Sequence, residues 1–282
     1  MSRLRVGLVQ FTAGDDPAQN LRQIEAHIRA AAKGGAGFVL TPEVSNIISD
    51  SRAHQEQVLQ LETSDPTLYT IGALARELKI WILIGSLALK SGLPDGRFLN
   101  RSFLISPKGF TIARYDKIHM FDVELGDGER YRESAQFQPG DRAVLADVEI
   151  GKIGMTICYD LRFPQLHRAL AQAGAQIITA PAAFTLPTGR AHWHCLLRAR
   201  AIETGCFILA PAMVGQHSDK RATYGHSLVV SPWGEVLADG STFEGVTFAD
   251  LDLNLVAEAR AKIPSLTHDQ RFVGPNEPRY KQ

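Results

Sequence analysis

Apolar segments of strand length alternate with amphipathic segments of helix length in the first part of the chain. Leu4–Phe11 is a short apolar run that predicts a buried strand, and Phe38–Leu40 and Ile80–Ile84 have the same character. Two helices are predicted between these runs, and residues 64–66, Ser-Asp-Pro, form the start signal of the second one. The first helix carries apolar side chains at helical spacing, at Leu21, Ile24, Ile28 and Ala31. The order of elements is therefore strand, helix, strand, helix, strand.

The pattern changes after this alternation, because residues 85–117 contain apolar runs that are separated by turn clusters and leave no room for a helix. The turn clusters SGLPDGR and SPKG require the flanking strands to pair antiparallel, which predicts a mixed sheet. The last of these strands, Phe110–Tyr115, ends beside Asp116 and Lys117. Residues 120–140 lack a clear period, and they predict a functional or mobile loop that contains Glu133.

The second half of the chain repeats the order of the first half. Val144–Glu149 and the apolar run Ile153–Ile157 predict a hairpin, and a helix follows from Pro164 to a stop at Gly174. Residues 181–190 are predicted to form a loop that leads into a second helix. The remaining predicted elements are the strands Ile177–Thr179, Cys206–Ala210, Ser227–Val230 and Val246–Leu251 and the helix Leu255–Ile263.

Two similar halves of this kind favour two mixed sheets that face each other, with helices on both outer sides. Such a four-layer α-β-β-α sandwich would bury all of the apolar runs. A single doubly wound sheet is the weaker alternative, because the hairpins supply too many antiparallel strands. We expect residues 1–282 to form a single domain, with a core over about residues 4–263 and a polar tail over residues 264–282.

Composition limits the partners that this chain can have. Thirty basic residues balance thirty acidic ones among the 282, so no net field attracts nucleic acid or an anionic membrane. The N-terminal segment suits a first strand better than a signal peptide, and no apolar run approaches transmembrane length. The three cysteines are odd in number and show no C-x-x-C spacing, so we expect a reducing, cytoplasmic location.

Cys158 is the candidate nucleophile, because it follows a buried strand at a sharp turn into a helix. The backbone N–H of Tyr159 and the helix start would direct positive potential at the sulfur, so we expect a stabilised and reachable thiolate. A buried structural cysteine is the alternative. Neither His167 nor His226 has an evident orienting partner, and a carboxylate such as Glu43 can serve as the base instead.

Metal and serine chemistry are both disfavoured by spacing. On a helix, His192 and Cys195 could share a face, whereas His194 points elsewhere, and two ligands do not make a zinc site. These residues therefore do not predict a zinc site. The segment Gly225–Ser227 lacks the second glycine of a serine nucleophile elbow, and Trp193 is interpreted as a core residue.

Three blocks of the sequence resemble the nitrilase-like carbon–nitrogen hydrolases. The blocks are FVLTPE ending at Glu43, RYDKIHMFD around Lys117 and GMTICYDLRFP around Cys158, and the resemblance extends over nearly the whole chain. It implies the α-β-β-α sandwich, a homodimer or higher homo-oligomer, and a small-molecule amide as substrate, with no metal ion and no organic cofactor. It also implies that Cys158 is the nucleophile and Glu43 the general base, with Lys117 stabilising the oxyanion and Glu133 supporting Lys117.

The same resemblance assigns the rest of the site. The Tyr159 N–H would assist Lys117 at the oxyanion, and Ala183 and Phe184 would line the substrate site together with Arg162. Within the family, the segments TGRAHWHCLLRARAIETG and KRATYGHSLVVSPWG look most like the branch that includes deaminated glutathione amidase and omega-amidase. This chain departs from the branch at Arg190, where proline is usual, and at His194, where glutamate is usual.

Substrate choice remains open at this level. A deaminated glutathione substrate needs a partner for its α-keto carboxylate, and Arg162 and Arg190 are the candidates, although either could be a solvated surface residue. An omega-amidase, a nitrile or carbamoyl hydrolase on the same scaffold, and a non-catalytic binding protein are the alternatives.

Overall fold

Each half of the chain supplies most of one mixed sheet with helices packed on its outer face, and the last strand of the second half joins the first sheet. The structure is a computed structural model that describes residues 3–125 and 129–274. Its helices are α1 (Pro17–Lys33), α2 (Arg52–Val58), α3 (Pro66–Leu78), α4 (Pro164–Gln172), α5 (Leu186–Thr204) and α6 (Asn254–Lys262). Short 3₁₀ helices cover Glu62–Ser64, Glu133–Ala135, Cys158–Arg162 and Ser265–Thr267.

The strands of the first half are β1 (Leu4–Gln10), β2 (Phe38–Leu40), β3 (Trp81–Lys90), β4 (Phe98–Ile105), β5 (Thr111–Asp116), β6 (Asp122–Leu125), β7 (Glu129–Arg132) and β8 (Phe137–Gln138). Those of the second half are β9 (Val144–Val148), β10 (Gly151–Met155), β11 (Ile177–Thr179), β12 (Phe207–Ala210), β13 (Val214–Ser218), β14 (Arg221–Tyr224), β15 (Leu228–Val230), β16 (Val236–Asp239) and β17 (Gly245–Leu251).

Both large sheets follow the same sequence of strand directions. The first sheet has the order β17-β1-β2-β3-β4-β5, with β8 added beside β4, and the second has the order β9-β10-β11-β12-β15-β16. Read in these orders, the first pair is antiparallel, the next two pairs are parallel and the last two are antiparallel in each sheet. The prediction of two mixed sheets is confirmed.

Alternate residues of β2 show how the layers are stacked. Phe38 and Leu40 belong to an apolar cluster that includes β10, β11 and β12 of the second sheet, whereas Val39 belongs to a cluster that includes α1 and α3. Because successive side chains of a strand point to opposite faces, the first sheet lies between the second sheet and this helix pair. Helices α4 and α5 pack on β10 and β12, which completes the α-β-β-α sandwich.

Helix starts follow the predicted signals. Asp16 caps α1 and Asp65 caps α3, each accepting hydrogen bonds from backbone N–H groups of the first turn, and a proline follows each cap. Helix α5 begins earlier than expected, at Leu186, so the prediction of a loop over residues 181–190 is wrong for its last part. Proline at the second position of α5 is compatible with a helix start, because its missing N–H would have no partner in the first turn.

Several hairpins were not predicted. The segment 120–140, expected to be an irregular loop, contains the β6–β7 pair, a 3₁₀ turn and β8, and the β13–β14 hairpin projects after β12. These strands are short and largely polar, so they lack the alternation that identifies a half-buried strand. Of the predicted tail, residues 275–282 lie outside the described residues, and the single-domain boundaries stay a prediction. Among the described residues, no helix is both long enough and apolar enough to cross a bilayer.

Candidate active site

Glu43 is held at the carboxyl end of β2 by a close approach of backbone to β3. The Gly85 N–H donates to Thr41 Oγ1 at 3.1 Å, and the Val44 N–H donates to Ser86 Oγ at 2.7 Å. A Cβ at Gly85 would lie 2.0 Å from the Thr41 carbonyl oxygen, so this position requires glycine. Val44 has a φ of +44°, a strained value for a β-branched residue beside a functional group.

Lys117 lies directly after β5, and its ammonium group is buried between two carboxylates. Its Nζ donates to Glu43 Oε1 at 2.9 Å and to both carboxylate oxygens of Glu133 at 2.8 Å. Only 2% of Lys117 and 4% of Glu43 are exposed. Glu133, in the 3₁₀ turn after β7, also accepts from the Phe121 N–H at 2.6 Å, which fixes the carboxylate from its other side.

Asn100 is a member of this group that sequence reasoning missed. Its Nδ2 donates to Glu43 Oε1 at 3.0 Å and to Glu133 Oε1 at 3.3 Å, so it bridges the two carboxylates. It lies on β4 and is 1% exposed. One feature of the sequence could have identified Asn100, namely an amide side chain at an inward-facing position of an apolar strand. A buried polar group at such a position needs hydrogen-bond partners.

Cys158 opens the 3₁₀ turn that follows β10, with a φ of +47°. Its N–H donates to the Pro181 carbonyl at 2.9 Å, and its thiol is within hydrogen-bonding range of the Glu43 carboxylate. The Oε2 oxygen of that carboxylate accepts from the Ala183 N–H at 2.9 Å. A left-handed backbone at a non-glycine residue is typical of strained functional sites.

These side chains form the inner wall of one cavity. We call Glu43, Asn100, Lys117, Glu133 and Cys158 the cavity floor. The cavity has a volume of about 580 Å³, and all five floor residues line it. This volume lies within the range that is usual for small-molecule sites, roughly 300–1,000 Å³.

The charges of the floor stabilise one another. Burial alone would raise the pKa of Glu43, but the Lys117 ammonium and the hydrogen bonds to the carboxylate lower it overall. Burial would likewise lower the pKa of Lys117, yet the neighbouring Glu133 and Glu43 charges raise it well above its ordinary value. Both carboxylate and ammonium are therefore ionised over the physiological pH range.

The Cys158 thiol has the opposite electrostatic environment. Burial and the negative charge of Glu43 raise its pKa well above the ordinary thiol value, and Lys117 offsets only part of this effect. The structure thus corrects the expectation of a resting thiolate. The sulfur therefore keeps its proton, and an ionised carboxylate lies beside it.

Asp160 connects the loop of Cys158 to the loop of Lys117. It is fully buried and accepts hydrogen bonds from the Tyr115 hydroxyl at 2.6 Å, the His119 N–H at 3.0 Å and the Ile157 N–H at 2.9 Å. Tyr115 and His119 flank Lys117 in sequence, so this carboxylate fixes the loop that carries Cys158 relative to the ammonium. Sequence reasoning treated Asp160 only as part of a turn.

The cavity wall contains three of the four predicted substrate-contacting residues. Tyr159, Ala183 and Phe184 line it, whereas Arg162 is not among the lining residues of the described chain. The Arg162 guanidinium lies 5.4 Å from the Phe184 ring centroid and 3.3 Å from His192 Nδ1, and Arg190 is exposed on α5. The use of either arginine as a carboxylate partner stays a prediction.

Four other basic residues line the outer part of the cavity, and we call them the cavity rim. They are Arg130 and Arg132 on β7, Lys220 just before β14, and Arg221 at its first position. Arg130 and Arg132 both contact the exposed carboxylate of Glu124. The Nε atom of Arg221 is buried and has no hydrogen-bond partner among the described residues. A buried donor without a partner is uncommon, and the Arg221 side chain also lines the cavity.

Metal-ligating groups lie elsewhere. Among the residues that the structure describes, one set of three His, Cys, Asp or Glu side chains has ligand atoms close enough to share an ion. The set consists of His194, His226 and Asp239, and none of these residues lines the cavity. Sequence reasoning compared His194 only with its neighbours His192 and Cys195, and therefore missed partners that come from other elements.

Comparisons with known proteins agree with this geometry. The carbon–nitrogen hydrolase family model matches residues 5–261. Deaminated glutathione amidase of Yersinia enterocolitica is 39% identical over 99% of this chain and 97% of its own length. The Caenorhabditis elegans NitFhit protein superposes with a TM-score of 0.90 at 35% identity, covering 96% of this chain and 66% of that longer protein.

A more distant solved structure carries chemical information. A mutant amidase from Nesterenkonia sp. AN1 holds the acetamide moiety of fluoroacetamide covalently at its active-site cysteine. It is 26% identical to this chain, with a TM-score of 0.76 and coverage of 93% of this chain and 96% of its own. From the family match and the fold together, the chain belongs to the carbon–nitrogen hydrolase family and is a hydrolase of carbon–nitrogen bonds other than peptide bonds.

Proposed function

We propose that the chain hydrolyses a small linear amide, deaminated glutathione, through a thioester on Cys158. In the first step, Glu43 accepts the thiol proton while sulfur attacks the amide carbonyl, and Lys117 with the Tyr159 N–H stabilises the oxyanion. Glu43 then donates that proton to the departing amine as the carbon–nitrogen bond breaks, which leaves the thioester.

The second half of the reaction uses the same carboxylate. Glu43, again unprotonated, removes a proton from water as the water oxygen attacks the thioester carbonyl. The carbon–sulfur bond breaks, the sulfur regains its proton from Glu43, and the acid product leaves. Glu133 keeps Lys117 charged and oriented throughout both steps, because a second carboxylate favours the ammonium form.

The observation that carries this proposal is the position of the buried Lys117 ammonium. It lies between Glu43 and Glu133 and beside a protonated thiol that Glu43 can deprotonate. Neutral thiol and ionised carboxylate are the starting states that general-base attack on an unactivated amide requires. The covalent adduct on the cysteine of the Nesterenkonia amidase is consistent with the same chemistry.

Two features favour deaminated glutathione as the substrate. The first is the name of the Yersinia relative, which matches nearly the full length of the chain. The second is the cavity rim, because deaminated glutathione carries carboxylates at both ends and the rim supplies four cationic side chains. The guanidinium of Arg221, which lines the cavity, is a suitable donor to one of those carboxylates.

A competitive substrate panel tests the proposal. Wild-type protein would be offered deaminated glutathione, 2-oxoglutaramate, an uncharged short amide, a nitrile and a carbamoyl compound, and acid and amine or ammonia release would be measured. We expect the highest kcat/KM with deaminated glutathione and a thioester adduct detectable by mass spectrometry. Full turnover by Cys158→Ala would reject the mechanism, and a preference for 2-oxoglutaramate would identify an omega-amidase instead.

We also propose a homodimer in the cytoplasm. Ile202, Trp233 and Ile263 are each more than half exposed and line one shallow surface pocket, which is the kind of apolar surface that a second copy covers. Cys195 is free and exposed, a state that a reducing compartment preserves. Light scattering during size-exclusion chromatography tests the dimer, and a monomer at micromolar concentration would contradict it. Cell fractionation tests the compartment.

A further inference from the structure

Three side chains with metal-binding atoms converge on the outer side of the second sheet. His194 comes from α5, His226 lies just before β15, and Asp239 ends β16. More than thirty positions separate His194 from His226 in the sequence. The packing of α5 on this edge of the sheet therefore brings the three residues together. None of them takes part in the proposed reaction.

The distances between their donor atoms match those around a single ion. His226 Nδ1 lies 2.9 Å and 3.1 Å from the two oxygens of Asp239, and His194 Nε2 lies 3.1 Å from Asp239 Oδ2. All ligand atoms lie within 4.8 Å of one another. In a tetrahedral zinc complex with bonds of about 2.0–2.1 Å, neighbouring ligand atoms are about 3.3 Å apart. A small ion placed between the three ligands therefore requires little movement of these side chains.

The three ligands are also held in place by other contacts. The Ser241 N–H donates to Asp239 Oδ1 at 2.7 Å, and the His226 ring stacks on the Tyr224 ring with 4.4 Å between centroids. The Trp193 indole N–H donates to the His226 carbonyl at 2.8 Å. His226 itself has a φ of +56°, which fixes the direction of its side chain in a strained backbone. Preorganisation of this kind favours binding, because less side-chain freedom is lost.

We propose that His194, His226 and Asp239 form a binding site for a divalent transition-metal ion such as Zn²⁺. Two imidazoles and one carboxylate suit zinc and its neighbours better than Mg²⁺ or Ca²⁺, which prefer oxygen ligands. Each imidazole would bind through the nitrogen that now faces Asp239 and carry its proton on the other ring nitrogen. Water would occupy the fourth position of a tetrahedral ion.

The bound ion would crosslink helix α5 to two strands of the second sheet. Helix α5 contributes Thr188 to the cavity wall, so the crosslink would stabilise one side of the cavity without contacting the substrate. An ion that binds the folded chain and not the unfolded one raises stability by mass action. The proposal does not rest on the proposed function, because its readouts are metal binding and thermal unfolding.

Zinc titration of the purified, chelator-treated full chain tests the site. Competition with a chromophoric chelator would give the stoichiometry and affinity, and calorimetry would give the unfolding midpoint with and without ZnCl₂. We expect one ion per chain and a midpoint that rises by about 2–8 °C when free zinc is a hundredfold above Kd. Magnesium chloride at the same concentration should give no shift.

Matched histidine variants locate the ion. His194→Gln and His226→Asn each remove one ligand, and asparagine tolerates the left-handed backbone at the second position. We expect each to weaken zinc binding at least about tenfold and to reduce the midpoint shift by about half or more. His192→Gln removes a neighbouring exposed histidine of α5 and should retain both. Absence of zinc binding by the wild type, or equal loss in the His192→Gln variant, would overturn the proposal.

Discussion

The cavity floor and the cavity rim differ in how their charges are held. In the floor, Lys117 and Glu43 are buried, the Glu133 side chain is 14% exposed, and all three make several short hydrogen bonds. In the rim, the side chains of Arg130 and Arg132 are half exposed or more and share one exposed partner, Glu124. The floor therefore has one well-defined arrangement, whereas the rim can adjust to what enters.

The floor and the rim determine different properties of the molecule. Buried ions in a low-dielectric site interact strongly, and removing one partner leaves an uncompensated charge. Exposed ion pairs contribute little, with typical values of about 0–1 kcal/mol. We therefore expect changes in the floor to abolish the reaction whatever the substrate, and changes in the rim to alter the preference among substrates.

The largest effect is expected from Glu43→Gln, which removes the proposed base and keeps its shape. Loss of a general base should lower kcat by roughly 10²–10⁴-fold for every amide in the panel. Steady-state kinetics would measure this, with circular dichroism to verify folding. Glu77→Gln, which removes an exposed carboxylate paired with Arg29, is the control and should retain wild-type turnover. A loss confined to one substrate would indicate that Glu43 determines substrate preference, as expected of the rim, and is not the base of the reaction.

A smaller loss is expected from Gly85→Ala, which acts on the floor without touching its chemistry. The new methyl group would collide with the Thr41 and Pro42 carbonyl oxygens and shift the segment that carries Glu43. A displacement of about 1 Å at a catalytic group can cost about 10²-fold in rate. We expect a fall of that size in kcat, together with a lower unfolding midpoint.

Gly14→Ala is the matched control for this variant. Nothing lies within 4 Å of a Cβ at Gly14, and its backbone does not require glycine, so the same substitution should leave kcat unchanged. Wild-type kcat in Gly85→Ala would show that the position of Glu43 tolerates movement.

At the rim, Arg221→Gln should change binding more than turnover. Loss of a charge-assisted hydrogen bond to a substrate carboxylate should raise KM for deaminated glutathione by about tenfold and leave kcat nearly constant. The uncharged amide should show no change. Arg162→Gln is the comparison variant, because that guanidinium is not among the lining residues. If Arg162→Gln raised KM and Arg221→Gln did not, Arg162, the candidate predicted from the sequence, would be the carboxylate partner.

The floor residues were easier to predict from the sequence than the rim residues, and the reason is physical. Glu43, Lys117 and Cys158 follow predicted strands, and the carboxyl ends of parallel strands are where α/β folds assemble their sites. Asn100 was missed because it lies within a strand, where one amide among apolar residues has no distinctive pattern. The rim lies on the β6–β7 and β13–β14 hairpins, whose short polar strands carry no periodic signal. Partners that converge from distant elements, such as His194 and Asp239, depend on packing alone.

The smallest expected effect is on stability rather than on catalysis, and it comes from the buried imidazole of His167. This side chain is fully buried on α4, its Nδ1 lies 3.1 Å from the Phe163 carbonyl oxygen, and its Nε2 has no partner among the described residues. Burial is the main cause that lowers its pKa to about 4, although the Phe163 carbonyl opposes the shift. Unlike the floor, this site cannot hold a charge.

The sign of the pH dependence follows from that pKa. Between about pH 6.5 and pH 4 the unfolded chain binds a proton at His167 that the folded chain does not, so stability falls as the pH falls through this window. His167→Leu removes the titrating group, so the wild type should lose about 1–2 kcal/mol more than the variant between about pH 7.5 and pH 5. Urea unfolding at the two pH values measures the difference. Equal losses in the two proteins would mean that the His167 pocket accommodates the imidazolium, as the floor accommodates Lys117.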